Sequence, residues 1–500
     1  MSVNLKEIST HAKPKEAYYF TIFLVLIFFA LTIVMRNSLI DFRIPFTILF
    51  CFIGVLVMLS SRFEVFILML LIVTSTIFEI LEFPTVPIQI GDLYLTDLLI
   101  MILLLAQMLK RVTINMTLVQ KPLGYPIMLF IALGFFSFIY ATMGLGVPAA
   151  RAGIELRPII YLLLFFLVYH YVKTERELKT LVLGIAIIGV VIAGFLILQY
   201  IIGDSFSILS SKVKALRTAD QKFSGIMRLK APGISIIFFS LNTFMSLFIL
   251  KALKNRSRNL ILPAIVLLCL SLILTFTRVF WIMVLVASLL LLFLARHKKI
   301  IYPRVMFLFI SVSIGLILAF QLNAIGSAGI RAAIFNRTES ILGARDLFKY
   351  DTLYWRYLDS KFAWDKIVDN PLLGVGLGNT YRPRTFGRSV YEWNLRGTKI
   401  QNAAGTMVHN GFLAVQLKMG IFGTLAFLWL IIAFFKRVFN KWKLIKDRFY
   451  QAIVLGIAVS IGGMMVHSLV AAPFFTIFWA ATAAVSIGIV EKIFEFEGIA

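Results

Sequence analysis

The chain has 500 residues, of which 60% are hydrophobic and only 15% are charged. Soluble domains carry about 25% charged residues, so this composition excludes an ordinary soluble protein and indicates an integral membrane protein. The formal net charge of +25 would suggest nucleic-acid binding in a soluble protein. In a membrane protein much of it is explained by Lys and Arg held in short cytoplasmic loops. We therefore expect membrane lipids as partners and no nucleic acid.

Apolar runs that could cross a bilayer recur from end to end. A transmembrane helix needs about 17–25 mainly apolar residues, and we count about 14 such runs, with 12 as the lower limit. They begin near residues 18, 44, 63, 93, 124, 158, 180, 233, 259, 279, 305, 412, 450 and 472. The predicted fold class is therefore an all-α polytopic membrane protein.

Basic residues mark alternate connections between these runs. Clusters such as Lys173, Arg176 and Lys179, and the group from Lys436 to Arg448, fall in short loops. Because short cytoplasmic loops are enriched in Lys and Arg, these loops and both termini are predicted to be cytoplasmic. The connections 203–232 and 321–408 then lie on the opposite face.

Three regions follow from this topology. Residues 1–320 carry transmembrane helices 1–11 with a basic outward loop at about 203–232, residues 321–408 form a large extracytoplasmic loop, and residues 409–500 carry a histidine-containing helix and transmembrane helices 12–14. In the large loop, Asp351 to Asp369 has apolar residues at Tyr354, Leu358, Phe362 and Val368, which predicts an amphipathic helix on the membrane surface. Asn370-Pro371 should end it.

The stretch Gly374-Val-Gly-Leu-Gly-Asn379 follows that helix. A dinucleotide-binding loop would need a preceding strand, a third glycine at the sixth position and a following helix. None of these is supported by the sequence. The stretch instead predicts a glycine turn that lets the backbone approach a neighbouring segment closely.

Several arginines are predicted at the outer edge of the spans. Arg278 lies between two apolar runs, Arg151 and Arg157 flank Glu155 just before Pro158, and Arg228 lies in the basic outward loop. Arginine near bilayer depth is costly and often marks a ligand site, and its guanidinium matches phosphate oxygens bidentately. The alternative is pairing with lipid headgroups or with a local acid such as Glu155.

His409 is one of only five histidines, and it stands where a mixed polar segment meets an apolar run. Imidazole titrates near neutral pH, which suits a general base. The alternative is a hydrogen-bonded structural histidine. His467, near the outer end of the thirteenth span, is a candidate partner. No cluster of residues has metal-ligand spacing, so no metal or other cofactor is expected.

Four features resemble the O-antigen ligase and O-antigen polymerase superfamily of bacterial envelope polysaccharide glycosyltransferases. His409-Asn410 is followed after nine residues by Gly420, Tyr354-Trp355-Arg356 leads to the glycine turn, Thr275-Phe-Thr-Arg278 opens a span, and one large external loop separates late spans. Thr277 stands where that family usually has serine. The Thr-Thr pair expected after the glycine is absent, since Gly420 is followed by Ile-Phe-Gly-Thr424. This departure slightly favours polymerase over ligase.

The resemblance implies a GT-C-type helical bundle in the bacterial cytoplasmic (inner) membrane, with its active site on the extracytoplasmic face. The implied donor is a glycan on a polyprenyl diphosphate, the implied acceptor is a glycan or a lipid-linked sugar, and the transfer is inverting and metal-independent. His409 would be the catalytic base, Arg278 and Arg228 would bind the diphosphate, and Arg157 would assist by its position and charge alone. Asn410 and Gly420 would support the histidine. The alternatives are a flippase for lipid-linked oligosaccharides and transfer to protein.

Overall fold

The computed structural model describes residues 86–88, 91–93, 96–97, 100–101, 103–104, 123–202, 213–217, 222–229, 233–252, 255–275, 277–295, 351–382 and 405–499. The predicted spans that begin near residues 18, 44, 63 and 305 lie outside the described residues.

Helices dominate the described chain. The strands are Val86–Ile88 (β1), Gly91–Leu93 (β2), Val213–Arg217 (β3) and Lys222–Leu229 (β4). The helices are Gly124–Ile139 (α1), Ala149–Ile160 (α2), Leu164–Tyr171 (α3), Glu175–Ile202 (α4), Ile234–Ile249 (α5), Asn255–Leu274 (α6), Arg278–Ala295 (α7), Asp351–Asp369 (α8), Gly411–Lys441 (α9), Arg448–His467 (α10) and Ile477–Phe496 (α11).

The membrane-spanning character of the bundle is confirmed for the described residues. Six helical segments are long and apolar enough to cross a bilayer: Gly124–Gly144, Ala149–Tyr171, Glu175–Ile202, Gly411–Leu444, Arg448–His467 and Ile477–Phe496. Three shorter apolar helices are Ile234–Ile249, Leu260–Leu274 and Arg278–Leu294. Each coincides with a predicted span, and the total of about 14 stays a prediction.

The all-α prediction was incomplete, because two short antiparallel hairpins are present. In the first, Val86 pairs with Leu93. In the second, Val213 pairs with Leu229 and Lys214 with Arg228. Hydropathy averaged over the length of a span does not register strands this short, so the pattern on which the spans were found could not reveal them.

The sixth span begins earlier than predicted. The sequence placed its start near residue 158, whereas α2 begins at Ala149 and contains Pro158 in its interior. A 3₁₀ turn, Tyr161–Leu163, follows before α3. The charged residues at 151, 155 and 157 lower the local hydropathy and conceal the true start. The helix accommodates them because Glu155 and Arg157 are paired with other elements.

Contacts between helix ends define two ends of the bundle. At the histidine end, defined here by residues 405–411 and 467–477, the Gly411 N–H donates to the Ser468 carbonyl at 2.6 Å. The beginnings of α5 and α11 meet at the same end, where the Ser235 hydroxyl donates to the Phe478 carbonyl at 3.0 Å.

The opposite, basic end is defined by residues 171–179 and 436–448. Here the Tyr450 hydroxyl donates to Glu175 at 3.0 Å. Arg437 forms a bidentate pair with the fully buried Glu491, at 2.5 and 2.8 Å. Helix α9 runs from the histidine end to the basic end, and α10 runs back to the histidine end. This alternation agrees with the predicted order of spans.

Candidate functional site

His409 lies immediately before the helix that the sequence associated with it. Helix α9 begins at Gly411, and Asn410 is its N-cap, whose side-chain oxygen accepts from the N–H groups of Phe412 and Leu413 at 3.0 Å each. Satisfying these two otherwise free N–H groups fixes the start of the helix. The Asn410 amide also donates to the Leu469 carbonyl at 3.3 Å. Asn410 therefore holds the segment that carries His409.

A buried carboxylate orients the His409 ring. Nδ1 of His409 lies 2.9 Å from Oδ2 of Asp359, and the His409 backbone N–H donates to the same oxygen at 3.0 Å. An ionised carboxylate only accepts hydrogen bonds, so in the neutral form of the ring Nδ1 carries the proton and Nε2 has the lone pair. The Asp359 side chain is 3% exposed, whereas that of His409 is 54% exposed. The arrangement presents a basic nitrogen at the surface on a ring fixed from behind.

The second oxygen of Asp359 is held by two further residues. Oδ1 accepts from the Tyr381 hydroxyl and from Nε of Arg382, the latter at 2.6 Å. Burial on its own raises the pKa of the Asp359 carboxyl. The hydrogen bonds from His409 and Tyr381 and the charge of Arg382 outweigh burial and hold this pKa below its ordinary value. Asp359 is therefore ionised at neutral pH.

Sequence reasoning missed Asp359, although it placed α8 correctly at 351–369. The face of α8 that is buried carries Asp359, Ala363 and Ile367, spaced four residues apart, while Val368, assigned to the apolar stripe, is 63% exposed. The signal was present as an acid on a helical face with small and apolar residues. It was not recognised because the predicted apolar stripe, at residues 354, 358, 362 and 368, is offset by one position from the residues that are buried.

The predicted glycine turn joins α8 to the bundle. Val375 donates to the Leu417 carbonyl at 2.7 Å, and a Cβ on Gly374 would lie only 2.5 Å from that carbonyl oxygen. The prediction of a close backbone approach is confirmed. The turn holds α8, and with it Asp359, against the first part of α9.

A buried ion pair fastens the end of this turn. Lys418 lies 3.1 Å from Glu155, with side chains 0% and 2% exposed, and its ammonium also donates to the Asn379 carbonyl at 2.7 Å. Glu155 in turn accepts from the Gly378 N–H at 2.7 Å. The pair is supported by these two further hydrogen bonds, one from Lys418 and one to Oε2 of Glu155. From the sequence, Glu155 was considered as a partner for the neighbouring arginines. In the structure it pairs with Lys418 of α9 instead.

Gly420 bends α9. Its backbone angles, φ 63° and ψ −163°, interrupt the helix, so the predicted twelfth span does not run straight from residue 412. The N–H of Ile421 is taken by the Pro371 carbonyl at 3.0 Å. Across the bend, Thr424 donates to the Gln416 side chain at 2.6 Å. The glycine of the histidine motif is therefore where the chain turns from the site into the span.

Arg278 lies at the histidine end. It begins α7, and two residues later the Phe280 ring packs 5.6 Å from that of His467. Ser468, the next residue, accepts from Gly411 beside His409. The Arg278 side chain is partly buried, with Nε shielded from solvent. The structure thus brings Arg278, His409 and His467 to one end of the bundle.

The other two arginines predicted to bind phosphate are Arg157 and Arg228. Nε of Arg157 lies 3.1 Å from Asp97, which also accepts from the Tyr161 hydroxyl at 2.9 Å. This matches the alternative of pairing with a local acid, but the acid is Asp97 rather than Glu155. Arg228 lies on β4 opposite Lys214, and its side chain is outside the described part. Among the described residues, no group of three or more His, Cys, Asp or Glu is placed to hold a metal.

The described helices form a bundle of apolar spans, and one end of the bundle carries an imidazole oriented by a carboxylate. These two features define the class: an integral membrane protein with a polar site where its spans end. Residues 263–428 match the model of the O-antigen ligase family. The matched segment, about a third of the chain, contains Arg278, Asp359, His409 and Gly420. It confirms the resemblance and supports a membrane glycosyltransferase of the O-antigen ligase type. A comparison with curated proteins finds no match.

Proposed function

We propose that this protein transfers a glycan from a polyprenyl diphosphate to an acceptor sugar hydroxyl at the histidine end of the bundle. The observation that carries the proposal is the 2.9 Å contact between Nδ1 of His409 and the buried Asp359 carboxylate. A ring held in this way has its second nitrogen free for substrate. This is the arrangement by which a carboxylate orients a histidine base in other hydrolytic and transfer enzymes.

In the proposed step, Nε2 of His409 takes the proton of the acceptor hydroxyl. The acceptor oxygen forms a bond to the anomeric carbon, while the bond from that carbon to the diphosphate oxygen breaks and the diphosphate leaves with the electron pair. Attack from the face opposite the leaving group inverts the anomeric configuration. The imidazolium that forms is stabilised by the negative charge of Asp359 until its proton passes to water.

Arg278 is proposed to bind the diphosphate and stabilise the charge that develops as it leaves. Arg228 has the same proposed role from the basic outward loop. The ion pair between Arg157 and Asp97 favours a structural contribution for Arg157, because its charge is already compensated. Guanidinium groups supply the cationic stabilisation, so the proposed mechanism requires no metal.

The proposed orientation puts the basic end in the cytoplasm and the histidine end outside. Lys436, Arg437, Lys441, Lys443, Lys446 and Arg448 all fall at the basic end, in agreement with the enrichment of Lys and Arg on the cytoplasmic side. We propose the bacterial inner membrane as the location, with both termini cytoplasmic. A polyprenyl chain would then lie among lipids while its sugar reaches water.

A flippase for lipid-linked glycans is the competing proposal. A flippase moves its substrate without breaking a bond, so it has no chemical use for a histidine base fixed by a carboxylate. The Asp359–His409 pair therefore favours the transferase. Polymerase, ligase and protein glycosylation differ only in the acceptor, and the slight preference for polymerase stays a prediction.

The test reconstitutes the purified protein with a lipid-linked oligosaccharide and follows glycan transfer. His409→Ala should reduce the transfer rate by about 10²–10⁴-fold in protein that is still folded at the assay temperature, because general base catalysis contributes about that much. His170→Ala at the basic end is the matched control and should retain activity. Wild-type rates in His409→Ala would overturn the base assignment.

The same assay distinguishes the acceptors. Lengthening of the glycan with donor alone would indicate a polymerase, whereas strict dependence on an added second acceptor would indicate a ligase. Arg278→Lys keeps the charge but removes the bidentate fork, so it should raise the donor KM. Unaltered donor KM and turnover would contradict the proposed role of Arg278.

A further inference from the structure

The ion pair between Lys418 and Glu155 lies where charged side chains are costly. Both residues belong to segments that are long and apolar enough to cross a membrane, Gly411–Leu444 and Ala149–Tyr171. Their side chains are 0% and 2% exposed. Replacing a buried ion pair by apolar residues of similar volume is often neutral or stabilising. The attraction between the two charges is therefore not by itself the reason why they stand at these positions.

The pair holds two consecutive peptide groups at the end of the glycine turn. Oε2 of Glu155 accepts from the Gly378 N–H at 2.7 Å, and the Lys418 ammonium donates to the Asn379 carbonyl at 2.7 Å. A Cβ on Gly378 would lie 2.5 Å from the Ala152 nitrogen, so the turn also touches the backbone of α2. An apolar pair could bind neither peptide group. What the charged pair adds is a fixed position for this part of the backbone.

Lys418 is held at its backbone as well as at its side chain. The Ser137 hydroxyl of α1 donates to the Lys418 carbonyl at 2.7 Å, and Ser137 is 2% exposed. The preceding carbonyl, that of Leu417, accepts from the Val375 N–H at 2.7 Å. The ammonium of Lys418 therefore projects from a backbone that α1 and the glycine turn both fix.

The fixed peptide groups lead directly to the residues that hold Asp359. Tyr381 and Arg382 follow Asn379 by two and three residues, and both donate to Oδ1 of Asp359. The other oxygen, Oδ2, holds the His409 ring at 2.9 Å. A displacement of Asn379 would move these two donors, and the carboxylate and the imidazole would follow.

We propose that Lys418 and Glu155 are positioning residues, which set the orientation of the His409 ring through residues 378–382 and Asp359. This inference rests on the proposed function and adds α2 to the elements on which the reaction depends. Neither member of the pair contacts substrate in this proposal. Their task is to hold residues 378–382 at a fixed distance from α9.

The experiment replaces the pair by apolar residues, Lys418→Met/Glu155→Leu, in the full-length purified protein. Glycan transfer from a lipid-linked oligosaccharide is followed at a temperature at which thermal unfolding shows each protein to be folded. We expect kcat to fall by about 10–100-fold with little change in donor KM, because a small displacement of a catalytic group has an effect of that size. Lys418→Met/Glu155→Gln keeps an oxygen that can accept from Gly378, so it should recover part of the lost kcat. A pair that only stabilises the fold would change Tm and leave kcat of the folded protein intact.

The ion pair between Arg437 and Glu491 is the matched control. It is similarly buried, with side chains 11% and 0% exposed, but it lies at the basic end. Arg437→Met/Glu491→Leu should leave kcat unchanged. An equal loss of kcat in the two apolar variants would overturn the inference, because it would show a general effect of removing buried charge.

A reversed pair, Lys418→Glu/Glu155→Lys, distinguishes the attraction of the charges from the hydrogen bonds to the backbone. It keeps two opposite charges, but a lysine cannot accept from the Gly378 N–H and a carboxylate cannot donate to the Asn379 carbonyl. We therefore expect kcat to stay as low as in the apolar variant. Wild-type kcat in either the reversed or the apolar variant would overturn the inference and leave the proposed function standing. Wild-type transfer by His409→Ala would instead overturn the proposed base, and the inference with it.

Discussion

At the scale of single residues, the two oxygens of Asp359 have separate tasks. Oδ2 holds the ring and the backbone N–H of His409, and Oδ1 binds Tyr381 and Arg382. One buried carboxylate thus ties His409, the proposed base, to α8 and to the segment after the glycine turn. In the proposed reaction, a ring fixed before substrate arrives would remove part of the entropic cost.

Asp359→Asn should disturb the orientation of the His409 ring without changing the binding of the donor. The asparagine amide is neutral and can donate to Nδ1, which traps the wrong tautomer and leaves no negative charge beside the imidazolium. We expect kcat to fall by about 10²–10⁴-fold with little change in donor KM. Steady-state transfer assays measure this. Asp365→Asn, an exposed aspartate on the same helix, is the control; equal effects of the two substitutions would contradict the role of Asp359.

The depressed pKa of Asp359 also predicts a pH dependence of stability. The stabilising contribution of this carboxylate is fully present above its ordinary pKa of 3.8 and is lost as pH falls through the lower value it has in the folded protein. The difference in Tm between wild type and Asp359→Asn should therefore be constant at neutral pH and shrink below about pH 3.8. A difference that grows on acidification would contradict the depressed pKa.

At the scale of elements, the bend in α9 decides where the site ends and the span begins. Gly420 has backbone angles open essentially to glycine alone, and a Cβ there would overlap the Leu372 carbonyl oxygen. The bend lets residues 411–419 contact the glycine turn while the rest of α9 continues as a span. Sequence analysis found both α9 and Gly420 but treated the apolar run as continuous, because hydropathy does not report backbone angles.

Gly420→Ala should destabilise the protein by about 3 kcal/mol or more, since backbone strain and overlap act together. Gly146→Ala is the matched control: its φ is 67°, but nothing lies within 4 Å of the added Cβ. Strain alone should cost about 1–2 kcal/mol there. Thermal unfolding in one detergent compares the two. Similar losses in both variants would show that the contact with Leu372 contributes nothing.

At the scale of the whole molecule, residues that are distant in the chain come together where their helices begin or end at the same end of the bundle. The histidine end brings together α7, α8, α9 and α10, although Arg278 and His467 are far apart in the chain. Interior contacts between α5 and α10 keep these ends in place: Asn242 donates to Ser460 at 3.1 Å, and a Cβ on Gly456 would lie 2.9 Å from Thr243. Small residues and interhelical hydrogen bonds are the usual means of packing in membranes.

Cysteine labelling tests the orientation of the two ends. In a background with Cys51 and Cys269 replaced by alanine, Leu145→Cys and Leu444→Cys introduce thiols at positions 43% and 59% exposed, at the histidine and basic ends respectively. An impermeant maleimide applied to intact cells should label the first at once and the second only after permeabilisation. The reverse pattern would invert the topology and place the proposed active site in the cytoplasm.

The sequence by itself determined that this is a helical membrane protein, the approximate positions of the six helical segments in the described part that can span a membrane, the bounds of α8, and His409 as a candidate site residue. These properties depend on runs of hydrophobicity, on helix-ending residues and on a short motif, all of which are local in the chain. Only the tertiary structure decided that Asp359 holds His409, and that Arg157 pairs with Asp97 and Glu155 with Lys418. Such choices depend on which helix faces pack together, because a charged side chain takes whichever partner the packing brings within hydrogen-bonding distance.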